Sequence, residues 1–173
     1  MAFGEIIGAA VGILLLLIVA YLVVGSTLST ADIVTNTQKD VTLMNEARLN
    51  TDIHIVDAIY VNSTSNLHVN VTNTGNEILG DFSGMDVYVT QPATTPAYYS
   101  FNQTYGTDVT KTWKYSQITW ADGSAAAIHL TQLDPGEMIW MEIDGFSIAP
   151  LPGSEVMVIT GNGIKSSAMI TIV

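Results

Sequence analysis

The sequence predicts an α+β protein in which a long N-terminal hydrophobic helix is followed by an antiparallel β-sandwich. The chain opens with an uncharged apolar stretch, and it then contains neither Gly nor Pro from Ser26 to Thr74. After Thr51 the apolar residues alternate in short runs that are separated by turn signals. We therefore predict a helix with a polar stalk at residues 1–50 and a sandwich domain at residues 51–173.

The opening segment is long enough to cross a bilayer. The 19 residues from Ile6 to Val24 carry no charge. At about 1.5 Å per residue a helix of this length spans about 29 Å, close to the hydrocarbon thickness of a membrane. No Lys or Arg precedes Lys39, and the apolar run is longer than the core of a secretory signal. We therefore expect a retained anchor in which residues 6–24 contact membrane lipid.

Small residues and an acid make the start of this helix a candidate for helix association. Gly8 and Gly12 form a small-xxx-small pair, which lets helix backbones approach closely in an apolar medium. Glu5 lies where a carboxylate complements a helix N-terminus or pairs with an α-amine. The alternative is that the glycines are ordinary membrane-helix residues and that Glu5 marks the headgroup boundary.

Beyond the apolar run, the helix is expected to continue as a stalk to about Asn50. Val34, Val41 and Met44 recur at roughly heptad spacing among polar residues. This apolar stripe is thin, so its burial requires a partner helix or a lipid surface. The alternative is a stalk that is solvated on all sides.

The residues after Thr51 have the pattern of short strands. Strict alternation in LHVNVT puts Leu67, Val69 and Val71 on one face, and MDVYVT repeats the pattern. Further strands are predicted at 98–103, 113–120, 126–132, 137–143, 154–160 and 165–173, with Asn162-Gly163 as a hairpin turn. About eight short strands with frequent turns indicate a sandwich of immunoglobulin-like type.

Composition and motifs argue against nucleic-acid binding and give no support to an enzyme. Sixteen acidic and five basic residues leave a net charge of −11, which repels a phosphate backbone. The absence of cysteine excludes thiolate chemistry. The three histidines (His54, His68 and His129) lack metal-site spacing, and no nucleophile elbow or phosphate loop is present. We therefore predict no catalytic residues, no cofactor and no metal.

Acidic residues between 134 and 144 could supply oxygen ligands for Ca²⁺. They are Asp134, Glu137, Glu142 and Asp144. The stretch LDPGE within this region is more simply explained as a Pro-Gly turn between two strands. We therefore favour a structural role for these acids, with a calcium site as the alternative.

Two surface features point to a domain outside the cell that contacts other proteins. Asn62, Asn70 and Asn102 begin acceptor sequons for N-glycosylation, although such triplets also arise by chance in a chain rich in Asn and Thr. Aromatic residues cluster in AYYSFNQTY and KTWKYSQITW. Strand alternation cannot bury all of them, so we expect some to form an exposed aromatic surface suited to protein contact.

Several stretches together resemble a known family. They are the apolar helix with early Gly and Ala, the polar stalk, NEARLNTDIHI before the first strand, VTNTGNEILGDFSGMDVYV and LDPGEMIWMEI. They resemble the archaeal flagellar (archaellum) accessory proteins F and G, within the group of archaellins and type IV pilin-like proteins. The resemblance covers essentially the whole chain and is closer to accessory protein F than to the major filament subunit.

This resemblance implies a non-enzymatic component of archaeal motility. The helix would anchor the chain in the cell membrane, and the immunoglobulin-like sandwich would face the exterior, or pseudoperiplasm. The sandwich would contact the surface (S-) layer or a sister accessory protein and act as a stator-like adaptor. A rotor transmits torque only if some element is fixed to a rigid shell, and such a link would supply that element.

The alternative that the resemblance leaves open is an extracellular filament subunit. Filament subunits of this group carry a short basic leader that is cut after Gly or Ala. Phe3-Gly4-Glu5 offers a Gly before an acid, but no Lys or Arg precedes it, which favours an uncut anchor. Glu5 nevertheless matches the acid with which pilins neutralise a neighbour's N-terminus. Assembly through the N-terminal helix into a homo-oligomer or filament is therefore the second hypothesis.

Overall fold

A computed structural model describes residues 2–103, 111–124 and 129–173. It begins with one long helix, α1 (Ala2–Asn50), and every strand follows this helix. This order confirms the predicted α+β class. The chain divides into two compact units, Met1–Asn45 and Glu46–Val173. We call the second the β-unit, and it includes the last turn of α1.

The strands of the β-unit are short, as the turn signals predict. They are β1 (Ile53–Val61), β2 (Asn66–Asn73), β3 (Leu79–Gly80), β4 (Asp86–Thr90), β5 (Ala97–Phe101), β6 (Thr112–Trp120), β7 (Gln132–Leu133), β8 (Glu137–Asp144), β9 (Glu155–Ile159), β10 (Lys165–Met169) and β11 (Thr171–Ile172). A single 3₁₀ turn, Phe82–Gly84, precedes β4. Residues 126–128 of the strand predicted at 126–132 lie outside the described residues, and His129 to Thr131 do not form a strand.

The helix α1 is apolar and exposed over its first half. It has Glu5 in its first turn and Arg48 in its last, which are the charges that complement the helix dipole. Every side chain from Phe3 to Val24 is exposed within the chain. A window of 18 residues reaches a mean hydropathy of 2.9, so α1 is long and apolar enough to cross a membrane.

Nine strands form one continuous sheet rather than two separate ones. Their order is β10-β9-β4-β5-β6-β8-β2-β1-β11, and β3 pairs with β7 apart from it. Most pairs are antiparallel, and the predicted hairpin at Asn162-Gly163 joins β9 to β10. The sheet bends until its two ends meet, where the Ile55 amide donates to Ser166 Oγ at 3.1 Å. The result is close to a barrel, and the specifically immunoglobulin-like arrangement stays a prediction.

The concave side of this sheet holds the hydrophobic core. Leu67, Val69 and Val71 are all fully buried, which confirms the alternation read from β2. The aromatic residues divide as expected between core and surface. Trp113 is fully buried, whereas Trp120 is 46% exposed. Some aromatic surface is therefore available for contacts with other molecules.

The last turn of α1 is held in the β-unit by the turn that follows β2. The carbonyl of Asn50 accepts hydrogen bonds from the amides of Asn76 and Glu77 at 2.8 and 3.2 Å. The carbonyl of Asp52 accepts two more, from Thr74 and Gly75, both at 3.0 Å. The last turn of α1 is therefore fixed within the β-unit.

Asn73 organises this connection from the core side. It is fully buried, and its Nδ2 donates to the carbonyl oxygens of Glu77 and Leu133 at 2.8 and 3.0 Å. Its Oδ1 accepts the Gly75 amide at 3.1 Å. Because each polar atom of a buried amide needs a partner, Asn73 fixes the turn against β7 as well.

Two further contacts tie Thr51, at the end of α1, to this region. Its Oγ1 donates to the Ala47 carbonyl at 2.7 Å and accepts a hydrogen bond from Asn162 Nδ2 at 2.9 Å. The β9–β10 turn therefore also contributes to the connection. We call the set Asn50–Asp52, Asn73–Glu77 and Asn162 the junction.

From the close approach in the junction, we predict that Gly75→Ala destabilises the β-unit. An added Cβ would overlap the Asp52 amide nitrogen and lie 2.5 Å from the Asn50 carbonyl oxygen, so backbone must move. Overpacking of this kind costs about 1–3 kcal/mol of unfolding free energy. Denaturant unfolding measures this loss. Gly80→Ala is the matched control, because its added Cβ meets no atom within 4 Å, and equal effects of the two changes would contradict the proposed role of the close approach.

Candidate assembly surfaces

The first candidate surface is one side of the N-terminal half of α1. Glu5, Gly8 and Gly12 lie three and seven residues apart, so they share one helix face. Apart from the nearby backbone of α1 itself, a Cβ built on either glycine meets no atom of the described residues within 4 Å. Gly4 continues the same spacing and is equally open, which the sequence reasoning did not consider. The face therefore has room for the backbone of another helix.

The stalk is suited to contact with other helices because most of its hydroxyl groups donate within the helix itself. Six Ser and Thr side chains donate to backbone carbonyls three or four residues earlier, at 2.8 to 3.0 Å: Ser26, Thr27, Thr30, Thr35, Thr37 and Thr42. A hydroxyl that donates within its own helix costs less to remove from water than one that has no partner. Ile33, Val34 and Val41 are exposed between them. The stalk therefore has an uncovered apolar stripe, as the heptad spacing predicted.

The three sequon asparagines lie in different environments. Asn62 is exposed in the turn after β1, and its Nδ2 donates to the Val173 carbonyl at 3.0 Å. Asn102 is also exposed, directly after β5, but Thr104 of its sequon lies outside the described residues. Asn70 is in the middle of β2. Its Nδ2 donates to Asp57 Oδ2 at 2.8 Å, and its Oδ1 is buried.

The acids considered as calcium ligands take part in separate structural contacts. Glu137 is buried and its Oε2 accepts the Asp134 amide at 2.9 Å, which closes the predicted Pro-Gly turn. Glu142 and Asp144 instead flank Lys114, at 3.1 and 3.6 Å from Nζ. Within the described ranges no group of three or more His, Asp and Glu side chains is placed to hold a metal ion.

The second candidate surface is the outer side of β10, β9, β4 and β5. Tyr88 lies opposite Tyr98 on one side and Met157 on the other, and Met157 lies opposite Ser167. The two tyrosine rings are 5.4 Å apart, and Tyr98 is 47% exposed. We call the row Ser167–Met157–Tyr88–Tyr98, together with the residues that point outward on either side of it in the same four strands, the tyrosine face. It is part of the exposed aromatic surface that the sequence predicts.

The shifted pKa values of the β-unit have structural causes. Burial raises the pKa of Tyr99 to about 12, since the side chain is only 3% exposed in the core. Desolvation, followed by a hydrogen bond to Asp86, raises the pKa of Tyr98. Hydrogen bonds from Ser124 lower the pKa of the exposed Asp122. Tyr98 is thus neutral at physiological pH and presents an apolar ring with a polar tip at the surface, whereas Tyr99 lies in the core.

Comparison with known proteins finds little similarity in sequence and more in structure. No protein-family model matches the chain. Over 89 residues it is 32% identical to an uncharacterised protein of Archaeoglobus fulgidus, a match that covers 51% of this chain and 55% of that protein. The chain therefore spans about half the length of the curated relative it matches.

Among solved structures, the chain is similar to the subunit of the archaeal flagellum of Methanospirillum hungatei strain JF1. The TM-score is 0.60 at 15% identity, and the match covers 96% of this chain and 92% of that one. A second similarity is to the archaellum periplasmic stator protein FlaG from Sulfolobus acidocaldarius, with a TM-score of 0.49 at 19% identity over 69% of this chain and 98% of that one. The predicted resemblance to the archaellin and type IV pilin-like group is confirmed at the level of the fold.

The environments of the sequons predict which asparagine can carry a glycan. In protein purified from its own cell, we expect Asn62 to be occupied and Asn70 to be bare, because Asn62 is exposed in a turn whereas Asn70 is half-buried in the middle of β2 with its Oδ1 buried. Mass spectrometry of proteolytic peptides measures the occupancy of both sites. Asn62→Gln, which removes the expected glycan, is the control for assignment. A glycan on Asn70 would contradict the prediction.

Proposed function

We propose that this chain is a non-enzymatic component of an archaellum and that it acts as a stator-like adaptor. In this proposal α1 holds the chain in the cell membrane, and the β-unit faces the exterior, or pseudoperiplasm, as an immunoglobulin-like sandwich that can carry glycans. The partner of the β-unit is the S-layer or a sister accessory protein. The observation that carries the proposal is the junction, which fixes the last turn of α1 within the β-unit.

An adaptor between membrane and shell must transmit force. The hydrogen bonds of the junction would let the end of α1 pass force to the sheet. Four backbone hydrogen bonds between the Asn50 and Asp52 carbonyls and the turn at 74–77 tie the helix end to the sheet. The Thr51–Asn162 contact adds a second connection to β9 and β10. Backbone bonds distributed over several strands extend less under load than a Gly- or Ser-rich linker does. Such a connection suits a static element of a rotary machine.

A filament subunit is the second candidate function, and the surface of α1 favours it. The open face at Glu5, Gly8 and Gly12 and the satisfied hydroxyls of the stalk would allow many helices to pack together. The similarity to the subunit of the archaeal flagellum supports it at the level of fold. In this arrangement the α1 helices form the centre of a filament and the β-units its surface.

One variant, tested in two assays, separates the two functions. The full-length chain is placed in lipid nanodiscs and incubated with S-layer sheets isolated from its own cell. An adaptor should co-sediment with the sheets, and a Gly8→Leu/Gly12→Leu variant should bind them equally well. In cells that express only the variant, a filament subunit should instead leave fibres shortened or absent, because two leucines fill the space that a neighbouring helix backbone needs.

The expected result for the adaptor is sheet binding that is insensitive to the two leucines, with fibres of normal length. A chain that neither binds the sheets nor binds a sister accessory protein in nanodiscs would contradict the adaptor function. Loss of fibres in the leucine variant, without loss of sheet binding, would establish the filament function. A Gly25→Leu variant controls for a general effect of leucine on α1, since Gly25 is open but lies at the end of the apolar run.

A further inference from the structure

The turn between β9 and β10 contains the dipeptide that is most prone to deamidation. It is Asn162-Gly163, the sole Asn-Gly pair in the sequence. In deamidation, the backbone nitrogen of the residue after an asparagine attacks the side-chain Cγ, ammonia leaves, and a succinimide ring forms. Water then opens the ring to give aspartate or isoaspartate. A following glycine favours the attack because it has no Cβ to shield its nitrogen.

In the folded β-unit, both reacting groups of this dipeptide are held by hydrogen bonds. The Gly163 amide, whose nitrogen would attack, donates to the Thr160 carbonyl at 2.8 Å. The Asn162 Nδ2, which would leave as ammonia, donates to Thr51 Oγ1 at 2.9 Å. The nitrogen must lose its proton, and the Asn162 side chain must move to bring Cγ against it. Both hydrogen bonds must therefore open before the ring can form.

The contact with Thr51 depends on the amide group of Asn162. The Thr51 hydroxyl gives its single proton to the Ala47 carbonyl at 2.7 Å, so its oxygen accepts from Asn162. An ionised aspartate at this position has no proton to donate, and two acceptors would face each other. To keep the contact, the hydroxyl would have to abandon Ala47. Isoaspartate would in addition insert a methylene group into the backbone of the turn.

We propose that Asn162 is a modification site that is deamidated when the junction opens and that the Thr51 contact protects while the junction is closed. Conversion removes a hydrogen-bond donor from the junction and adds a negative charge to an already acidic chain. Because ammonia is lost, closing the junction again does not restore asparagine. The product therefore marks chains whose junction has opened.

The modification acts on the connection through which the proposed adaptor would pass force. A chain with aspartate or isoaspartate at position 162 would hold the end of α1 less firmly in the β-unit. This consequence rests on the proposed function, whereas the modification itself does not.

The rate of deamidation at position 162 measures the protection. The full-length chain in lipid nanodiscs is incubated at mildly alkaline pH, beside the same chain with its β-unit unfolded in urea. Mass spectrometry of peptides that contain residue 162 gives the deamidated fraction over time. We expect the folded chain to react at least about ten times more slowly than the unfolded one, because only locally opened molecules react.

Two substitutions of Thr51 separate its hydroxyl from its shape. Thr51→Val removes the hydroxyl and keeps the branched side chain, whereas Thr51→Ser keeps the hydroxyl. Deamidation should be about five times faster in Thr51→Val than in the unaltered chain, the change in opening expected from the loss of one neutral hydrogen bond. Thr51→Ser should react at nearly the unaltered rate.

Thr42→Val is the matched control for loss of a hydroxyl from α1. Thr42 donates to the Gln38 carbonyl at 2.8 Å, in the same pattern as Thr51 does to Ala47. This variant should leave the rate at position 162 unchanged. Equal rates in Thr51→Val and Thr42→Val, or a folded chain that reacts as fast as the unfolded one, would overturn the inference.

A second measurement does not depend on the folding of Thr51→Val, because Asn162→Asp places one product of the reaction in the turn directly. The Asn76 amide donates to the Asn50 carbonyl at 2.8 Å, so its hydrogen exchange reports opening of the junction. Exchange should be about five times faster in Asn162→Asp. It should be unchanged in Asn66→Asp, which adds the same charge at the other end of β2.

Unchanged exchange in Asn162→Asp would overturn the claim that the Asn162 amide holds the junction closed. Neither measurement involves the S-layer or a sister accessory protein. Failure of the inference would therefore leave the proposed function untouched.

Discussion

The close approach of the turn at Asn73–Glu77 to the end of α1 is the constraint on which the β-unit depends. Gly75 is the residue that makes it possible, because any side chain there would meet the backbone of Asn50 and Asp52. The approach lets two carbonyls at the helix end find amide donors, and it lets Asn73 satisfy its own buried amide. Helix end, first strand and the β3–β7 pair are thereby fixed by one turn.

The way the sheet closes determines which surfaces remain for partners. The C-terminal segment crosses from β10 to β11, and Val173 exchanges hydrogen bonds with Tyr60 and Asn62 of the β1 end. Ile170 is buried at the crossing. The two ends of the sheet are thus drawn together, and strand edges offer little room for strand addition. Contacts with other molecules are then expected on the sheet faces and along α1, where many of the uncovered apolar residues lie.

Local features of the fold could be predicted from the sequence, whereas features that depend on register could not. An uncharged run without proline dictates α1, the alternation at Leu67, Val69 and Val71 dictates β2, and Asn162-Gly163 dictates a hairpin. By contrast, the sequence around Gly75 indicates only a turn, and the need for glycine there is evident only from the structure, in which Asn50 lies against it. Likewise, the sequence marks Asn70 only as the start of a sequon, and its hydrogen bond to Asp57 is evident only from the structure. The tyrosine face combines two pairs of strands, β4–β5 and β9–β10, that are distant in sequence, so no single window of the chain reveals it.

In the proposed function, the intact chain stays in the membrane and holds an external β-unit to the cell envelope. The measurement that tests it most directly is the intact mass of the native protein, together with the cell fraction that contains it. We predict the full-length mass, with any glycan added, in the membrane fraction. A mass that begins at or near Glu5, recovered from sheared extracellular fibres, would contradict it and make the chain a filament subunit.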